Sequence, residues 1–333
     1  MFLQDLNSKL PANFISNREF CFFTETKFRP GDFVPDGADQ WIFERSGIRT
    51  RAYLDLSKVG CGNLAPGDEL EFVTQSLTDS LGEDVYESLQ AIITVRSSPF
   101  HFVPGLSQRL LKNLNAHFKQ NDKCMFTLDL FQPSTGFLSA LTVIRGLPFQ
   151  SILLVCSEIL SPFINLKDVG TSMLFGDGVA SVVLTKRQTD QSHFQLIDEL
   201  FSSQSDRADL LKSNHDFQSF HMKGPELFRK VIPEFKRSAE KVLSSNGYSV
   251  SDIKFYLPHQ ANRRIIERAA HAIGFTSHQL LTNIERVGNL SSASIPLLLA
   301  EKTQSLCFNP RDRILLNTCG AGLSSGAAIL EKI

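Results

Sequence analysis

A chain of 333 residues that is 42% hydrophobic holds enough apolar material for one large core, or for two fused cores of about 150 residues each. Its 34 basic and 35 acidic residues leave a formal charge of -1, which excludes the electrostatic footprint of a nucleic-acid binder or of a protein held to anionic membranes. The six cysteines (Cys21, Cys61, Cys124, Cys156, Cys307 and Cys319) form no CxxC pair and no zinc-spaced cluster, so free thiols in a reducing compartment are expected, with no metal site.

The opening stretch MFLQDLNSKLPANFISNREF lacks a basic region followed by an apolar run, and no segment reaches the roughly 18 uninterrupted apolar residues of a membrane span. The expectation is a cytoplasmic protein. From residue 90 onward, strand-like runs alternate with helical patterns. QAIITVRSS (90–98) reads as a strand, 105–119 as a helix, CMFTLDL (124–130) as a strand, the stretch after Thr135 as a helix, and SILLVCSE (151–158) and GVASVVLTK (178–186) as strands.

Residues 187–222 are polar and rich in Gln, Ser and Asp, and read as a connection or surface excursion. Then GPELFRKVIPEFKRSAEKVLSSNG (224–247) is an amphipathic helix stopped by Asn246-Gly247. KFYLPHQ is a strand and turn, ANRRIIERAAHAIGF a helix, and DRILLNTCGAGLSSGAAILEKI two strands around a Gly-rich bend. The expected organisation is α/β, with one half over 1–186, the connection over 187–222 and a second half over 223–333.

Four stretches carry candidate chemistry. LPHQANRRI (257–265) sets His259 between a strand and a helix, GNLSSASIPLLLAE (288–301) sets Asn289 ahead of a helix, FGDGVASVVL (175–184) is a glycine-punctuated turn, and NTCGAGLSSGAA (317–328) can aim backbone N–H groups inward. With Ser134 in DLFQPSTGF (129–137), this is a Ser/His/Asn constellation with a candidate oxyanion hole. Sequence spacing alone does not bring the three together, and a lone histidine before a helix is more often a packed or capping residue.

PHQAN, GNLSSASIP, FGDG and the C-terminal glycines, in this order, together with ADQWIFERSGIRTR (38–51), resemble the β-ketoacyl-acyl-carrier-protein synthase III branch of the thiolase superfamily. The likeness spans roughly residues 38–333; the first 35 or so, with FCFFTETKF, look unlike it. It implies a thiolase fold, five-layered αβαβα in two similar halves, and usually a dimer. It also implies acyl transfer from coenzyme A or an acyl-carrier protein with no bound cofactor beyond that thioester carrier, in polyketide, fatty-acid-like or other specialised biosynthesis.

The family's triad is Cys, His and Asn. His259 and Asn289 match its last two members, and the cysteine position falls on Ser134. The resemblance further implies an oxyanion hole from the backbone amides of Ser134 and Ala321, coenzyme A or pantetheine contacts at Trp41 and Arg45, carrier-protein docking at Arg264, and an acyl pocket touched by Phe102, Val103 and Cys319. Pro162 falls near a position where relatives carry a coenzyme A-binding arginine, and Pro133 and Thr135 depart from the family's residues around the nucleophile.

A thiol titrates near 8.5 and can be held as thiolate, whereas a serine hydroxyl must surrender its proton during attack, so a positioned base becomes obligatory. His259 is the expected general base and then acid, and the product would be an oxoester. Three readings follow: a serine acyl-enzyme; direct acyl transfer or decarboxylation by His259 and Asn289; and a non-catalytic subunit completing a heterodimer with a cysteine-bearing homologue. Cys319 as a substitute nucleophile is disfavoured, because it would attack from a different strand.

Overall fold

The β-branched and aliphatic runs at 91–96, 151–158 and 178–185 are buried along their whole length, as strands covered on both faces must be. The computed structural model describes residues 1–25, 37–64, 67–98, 103–204, 209–213 and 220–333. Its first half contains β1 (Phe2–Lys9), β2 (Asn13–Ser16), α1 (Asn17–Glu25), α2 (Ala38–Ser46), β3 (Thr50–Tyr53), α3 (Asp68–Thr78) and α4 (Glu83–Ser88). There follow β4 (Ala91–Arg96), α5 (Leu106–His117), β5 (Phe126–Phe131), α6 (Gly136–Gly146), β6 (Ser151–Glu158), α7 (Val169–Ser172) and β7 (Gly178–Thr185). Next come β8 (Phe194–Ser203), β9 (Leu211–Ser213), β10 (Phe220–Met222) and α8 (Gly224–Ser245). The chain closes with β11 (Phe255–Pro258), α9 (Arg263–Ile273), α10 (Ile284–Val287), α11 (Ser294–Ser305), β12 (Arg313–Gly320) and β13 (Ser324–Lys332).

The main sheet runs β11-β12-β13-β8-β1-β7-β6-β4-β5. It consists of two smaller sheets joined at a narrow seam, where β8 meets β1 through the pairs Phe2↔Gln195 and Leu3↔Phe194. On the first side β4 lies parallel to β5 and β6, and β7 turns antiparallel. On the second, β11 is parallel to β12, with β13 and β8 antiparallel.

Helix α6 buries Phe137, Leu138, Ala140, Leu141 and Ile144, and α11 is buried from Ser294 to Ala300, so both need protein against most of their surface. Each touches both sheets: α6 packs on β4, β6, β8 and β13, and α11 on β1, β7 and β11. Their side chains and the facing strands make the largest core cluster, including Phe137, Leu141, Leu298 and Leu316. Outside, α3 and α5 cover the first sheet, while α8 and α9 cover the second. The resulting order of helices, sheet, central helices, sheet and helices is the five-layered αβαβα thiolase arrangement.

One expectation needs correction. The stretch 187–222 is not merely a surface excursion: residues 194–203 form β8, a ten-residue strand that pairs with β13 along its length. Most of its residues are only half-buried, with Asp198 and Glu199 paired to Arg145 of α6 and Asp198 to Asn246 at the end of α8, which hides the strand in a composition-based reading. The opening residues are equally central, since β1 runs antiparallel to β7 inside the sheet, with Leu3 fully buried.

Candidate functional site

Ser134 lies in the turn between β5 and α6, two residues before the helix begins. Its φ is +61°, a left-handed conformation that costs a non-glycine residue energy unless neighbours hold it. Both of its backbone groups are held: the N–H donates to Ser291 Oγ at 2.8 Å, and Thr318 Oγ1 donates to the carbonyl at 3.1 Å. Gly320 backs this turn at a distance that only a glycine allows. A methyl there would lie 2.8 Å from Ser134 Cβ and 2.9 Å from Pro133 O.

His259 follows β11, and its N–H donates to Asn317 O at 2.8 Å, tying it to β12. Gln260 of the same motif is buried; its Oε1 accepts from Asn283 N at 3.2 Å and Ile284 N at 3.3 Å, which docks the α10 segment beside the histidine. That segment delivers Asn289. The Asn289 N–H donates to Leu174 O at 2.8 Å, and its carbonyl accepts from Gly176 N at 3.1 Å, so the FGDG and GN motifs clasp each other. A Cβ on Gly176 would meet Val287 O at 2.5 Å, which explains the glycine.

Ser134, His259 and Asn289 thus come from three distant segments to line one cavity of ≈ 690 Å³. Its wall is largely apolar, with Phe131, Met173, Phe228, Val231 and Phe235 prominent. The Asn289 Oδ1 accepts from Ser291 N at 2.9 Å, which fixes the amide orientation and leaves Nδ2 as the group able to donate to a bound carbonyl. His259 is 1% exposed, its Nδ1 is buried without a hydrogen-bond partner, and desolvation pushes its pKa down to about 3. The imidazole is therefore neutral at physiological pH.

Below Ser134 lies a polar cluster that sequence reasoning missed. Glu158, at the end of β6, is fully buried and accepts from Ser97 N (3.1 Å), Ser97 Oγ (2.6 Å), Ser292 N (3.1 Å) and Ser292 Oγ. Burial raises its pKa to about 7 against those bonds. Ser97 Oγ also lies 2.8 Å from Ser291 Oγ. The available signals were the lone acidic residue ending an apolar strand and the hydroxyl-rich SSAS. Asp177 of FGDG is a second buried carboxylate, gripped by Leu54 N, Leu160 N, Ser161 N and Ser161 Oγ.

The remaining expected site residues divide. Arg45, Arg264, Cys319 and Ala321 line the cavity. Trp41 is half-buried and does not; its ring is covered by Arg45, whose Cζ lies 3.9 Å from the ring centroid. Val103 is 89% exposed and does not line the cavity of its own chain, and Phe102 lies outside the described residues. The Ser134 amide, expected in the oxyanion hole, donates to Ser291 Oγ at 2.8 Å. Among the described residues no group of His, Cys, Asp or Glu could hold a metal ion, and no helix is long and apolar enough to cross a membrane.

Comparison with known proteins agrees with this architecture. Family models described as 3-oxoacyl-[acyl-carrier-protein (ACP)] synthase III and as its C terminal match residues 128–205 and 243–332. The chain is 30% identical to the beta-ketoacyl-[acyl-carrier-protein] synthase III of Rickettsia rickettsii, over 97% of this chain and 96% of that protein. The Rickettsia akari counterpart is 31% identical with the same coverage. Among solved structures, 3-oxoacyl-(acyl carrier protein) synthase III from Pseudomonas aeruginosa PAO1 superposes with a TM-score of 0.81 at 26% identity, covering 99% of this chain and 98% of that one. The Aquifex aeolicus VF5 enzyme gives a TM-score of 0.82 at 24% identity.

The fold therefore defines a thiolase-fold condensing enzyme. Within that class the chain belongs to the β-ketoacyl-[acyl-carrier-protein] synthase III family.

Proposed function

We propose that this protein is an acyltransferase or ketosynthase in which Ser134 accepts an acyl group from an acyl-CoA or acyl-carrier-protein thioester and passes it on, in cytoplasmic fatty-acid-like, polyketide or other specialised biosynthesis. The observation that carries the reading is the convergence of Ser134, His259 and Asn289 on one largely apolar cavity. The Ser134 hydroxyl attacks the thioester carbonyl as its proton passes to His259. The C–S bond then breaks, and the departing thiolate takes that proton back. Asn289 Nδ2 and the Ala321 amide are the candidates to steady the carbonyl oxygen.

A histidine with a pKa of about 3 is neutral at physiological pH but a weak base, which would slow serine acylation on this site. That weakness favours a second reading, in which neutral His259 and Asn289 polarise a thioester carbonyl for direct transfer or malonyl decarboxylation without a covalent intermediate. Arg45, Arg264, Lys212 and Arg268 line the cavity and suit the phosphates of a thioester arm or an acidic carrier protein. The β5 edge carries exposed Phe126 and Phe131, which suits pairing with a second copy; a cysteine-bearing homologue is the alternative partner.

Intact-mass analysis after incubation with acyl-CoA and acyl-carrier thioesters tests the covalent step. An adduct on the wild type that is absent from Ser134→Ala supports it. No adduct on the wild type, with loading of Ser134→Cys, overturns it in favour of direct transfer or a catalytic partner.

A further inference from the structure

The buried carboxylate beneath the nucleophile turn has no place in the reaction just described, yet it ends a continuous chain of hydrogen bonds leading to Ser134. The direction of each bond follows from proton counting. In its ionised form the Glu158 carboxylate only accepts, so Ser97 then spends its one hydroxyl proton on Oε2 at 2.6 Å. Ser97 Oγ must then accept across the 2.8 Å contact with Ser291 Oγ, and Ser291 must donate. The Ser291 oxygen is left to accept from the Ser134 N–H, as found at 2.8 Å. The order is Ser134 N–H to Ser291 to Ser97 to Glu158, every donor used once, and chains ordered in this way polarise each successive bond.

We infer that Glu158, acting through Ser97 and Ser291, is a positioning residue that anchors the Ser134 amide and so holds the nucleophile in its left-handed conformation. Three features support it. Ser134 has φ +61°, a conformation that surrounding contacts must impose. Ser291, the direct acceptor, itself sits at φ +44°, with its N–H tied to Asn289 Oδ1, so one residue couples the nucleophile turn to the carbonyl-facing asparagine. Glu158 is anchored on its other oxygen by the N–H and hydroxyl of Ser292, so the chain ends on a fixed point. The chain also defines the chemistry of the oxyanion site: a bound carbonyl must find donors other than the Ser134 amide.

The proposal rests on Ser134 being the acyl acceptor for its kinetic consequence, but not for its structural one. Glu158→Gln is the informative change, because the Gln amide group must face either Ser97 N–H or Ser292 N–H, donor against donor. Ser97→Ala removes the middle link and keeps the carboxylate, while Ser97→Thr restores a hydroxyl. Amide hydrogen exchange at Ser134, followed by NMR, reads the anchor with no acyl group present. Single-turnover loading from an acyl-CoA reads its effect on reaction.

Glu158→Gln and Ser97→Ala are expected to speed Ser134 amide exchange at least tenfold and to slow loading at least tenfold with the half-saturating thioester concentration unchanged; Ser97→Thr returns both towards wild type. Unchanged Ser134 exchange in Ser97→Ala overturns the inference, as does a loading defect confined to half-saturation. Should Glu158→Gln fail to fold, Ser97→Ala and Ser97→Thr carry both readings. A wild type that never loads would overturn the acyl-enzyme reading alone, and the exchange measurement would still decide whether the anchor exists.

Discussion

Gly320→Ala isolates the contact between the Ser134 turn and β12. Gly320 has φ -154°, extended backbone that alanine adopts freely, so any effect comes from the added methyl and not from a forbidden conformation. That methyl would sit 2.8 Å from Ser134 Cβ, 2.9 Å from Pro133 O and 3.2 Å from Thr135 Cγ2. Carbon atoms pack at about 3.5–4.0 Å, so the turn must retreat by about 0.7 Å, and none of the three neighbours is the free end of a long side chain. Overpacking of this kind costs about 1–3 kcal/mol. With an unfolding entropy of about 2.1 cal/mol/K per residue, a chain of this length loses about 1.5–4 °C in Tm. The same displacement moves the Ser134 oxygen, and a misplacement of that order slows a positioned reaction by about tenfold to a hundredfold. The assay is a thermal melt beside single-turnover acyl loading, with Gly82→Ala as control, since a methyl there meets nothing within 4 Å. A Gly320→Ala protein that melts and loads like Gly82→Ala would refute the reasoning.

Three further outcomes follow from the geometry. His259 has a folded pKa near 3 against 6.5 when unfolded, so between those values the unfolded chain binds a proton that the folded one refuses. Its contribution to stability is complete above about pH 6.5 and falls as pH drops towards 3; denaturant titrations should show wild type losing ground to His259→Gln across that window, and loading should show no acid limb near 6.5. Asn289→Asp keeps the oxygen that accepts from Ser291 N–H but replaces the cavity-facing donor with an acceptor, so single-turnover loading should fall at least about a hundredfold. Asp177→Asn turns an amide donor toward N–H groups that the carboxylate satisfies, and should lower Tm by about 4 °C, equivalent to about 3 kcal/mol, in a thermal melt.

Much of the architecture is legible in the letters, because the central strands are apolar throughout. SILLVCSE coincides with β6, and GVASVVLTK overlaps β7 to within a residue. What the letters hide is structure whose burial comes from partners far away. In β1 only Leu3, Gln4 and Leu6 are buried, and an irregularity between Gln4 and Asn7 breaks its alternation, so it reads as an ordinary polar N-terminus. FQLIDELFSS is half-polar, yet β13 and β1 flank it.

The same limit applies at the site. His259 and Asn289 are legible because their motifs carry the Gln260 and Gly176 partners that place them. Glu158 and Ser291 act through bonds to residues more than sixty and a hundred and fifty positions away, which no spacing rule connects. Trp41 and Arg45 were matched to one ligand's contacts, and the structure adds that they stack on each other.

The narrow seam between the two sheets bears on how the molecule comes apart. Only two residue pairs join β8 to β1, which suggests halves able to separate. The central helices forbid it: α6, from the first half, lies on β8 and β13 of the second sheet, and α11, from the second half, lies on β1 and β7 of the first. Melting either half strips a wall from the other's core. The chain should therefore unfold in a single cooperative step, with calorimetric and van't Hoff enthalpies in agreement, and neither half should be recoverable as an autonomous folding unit.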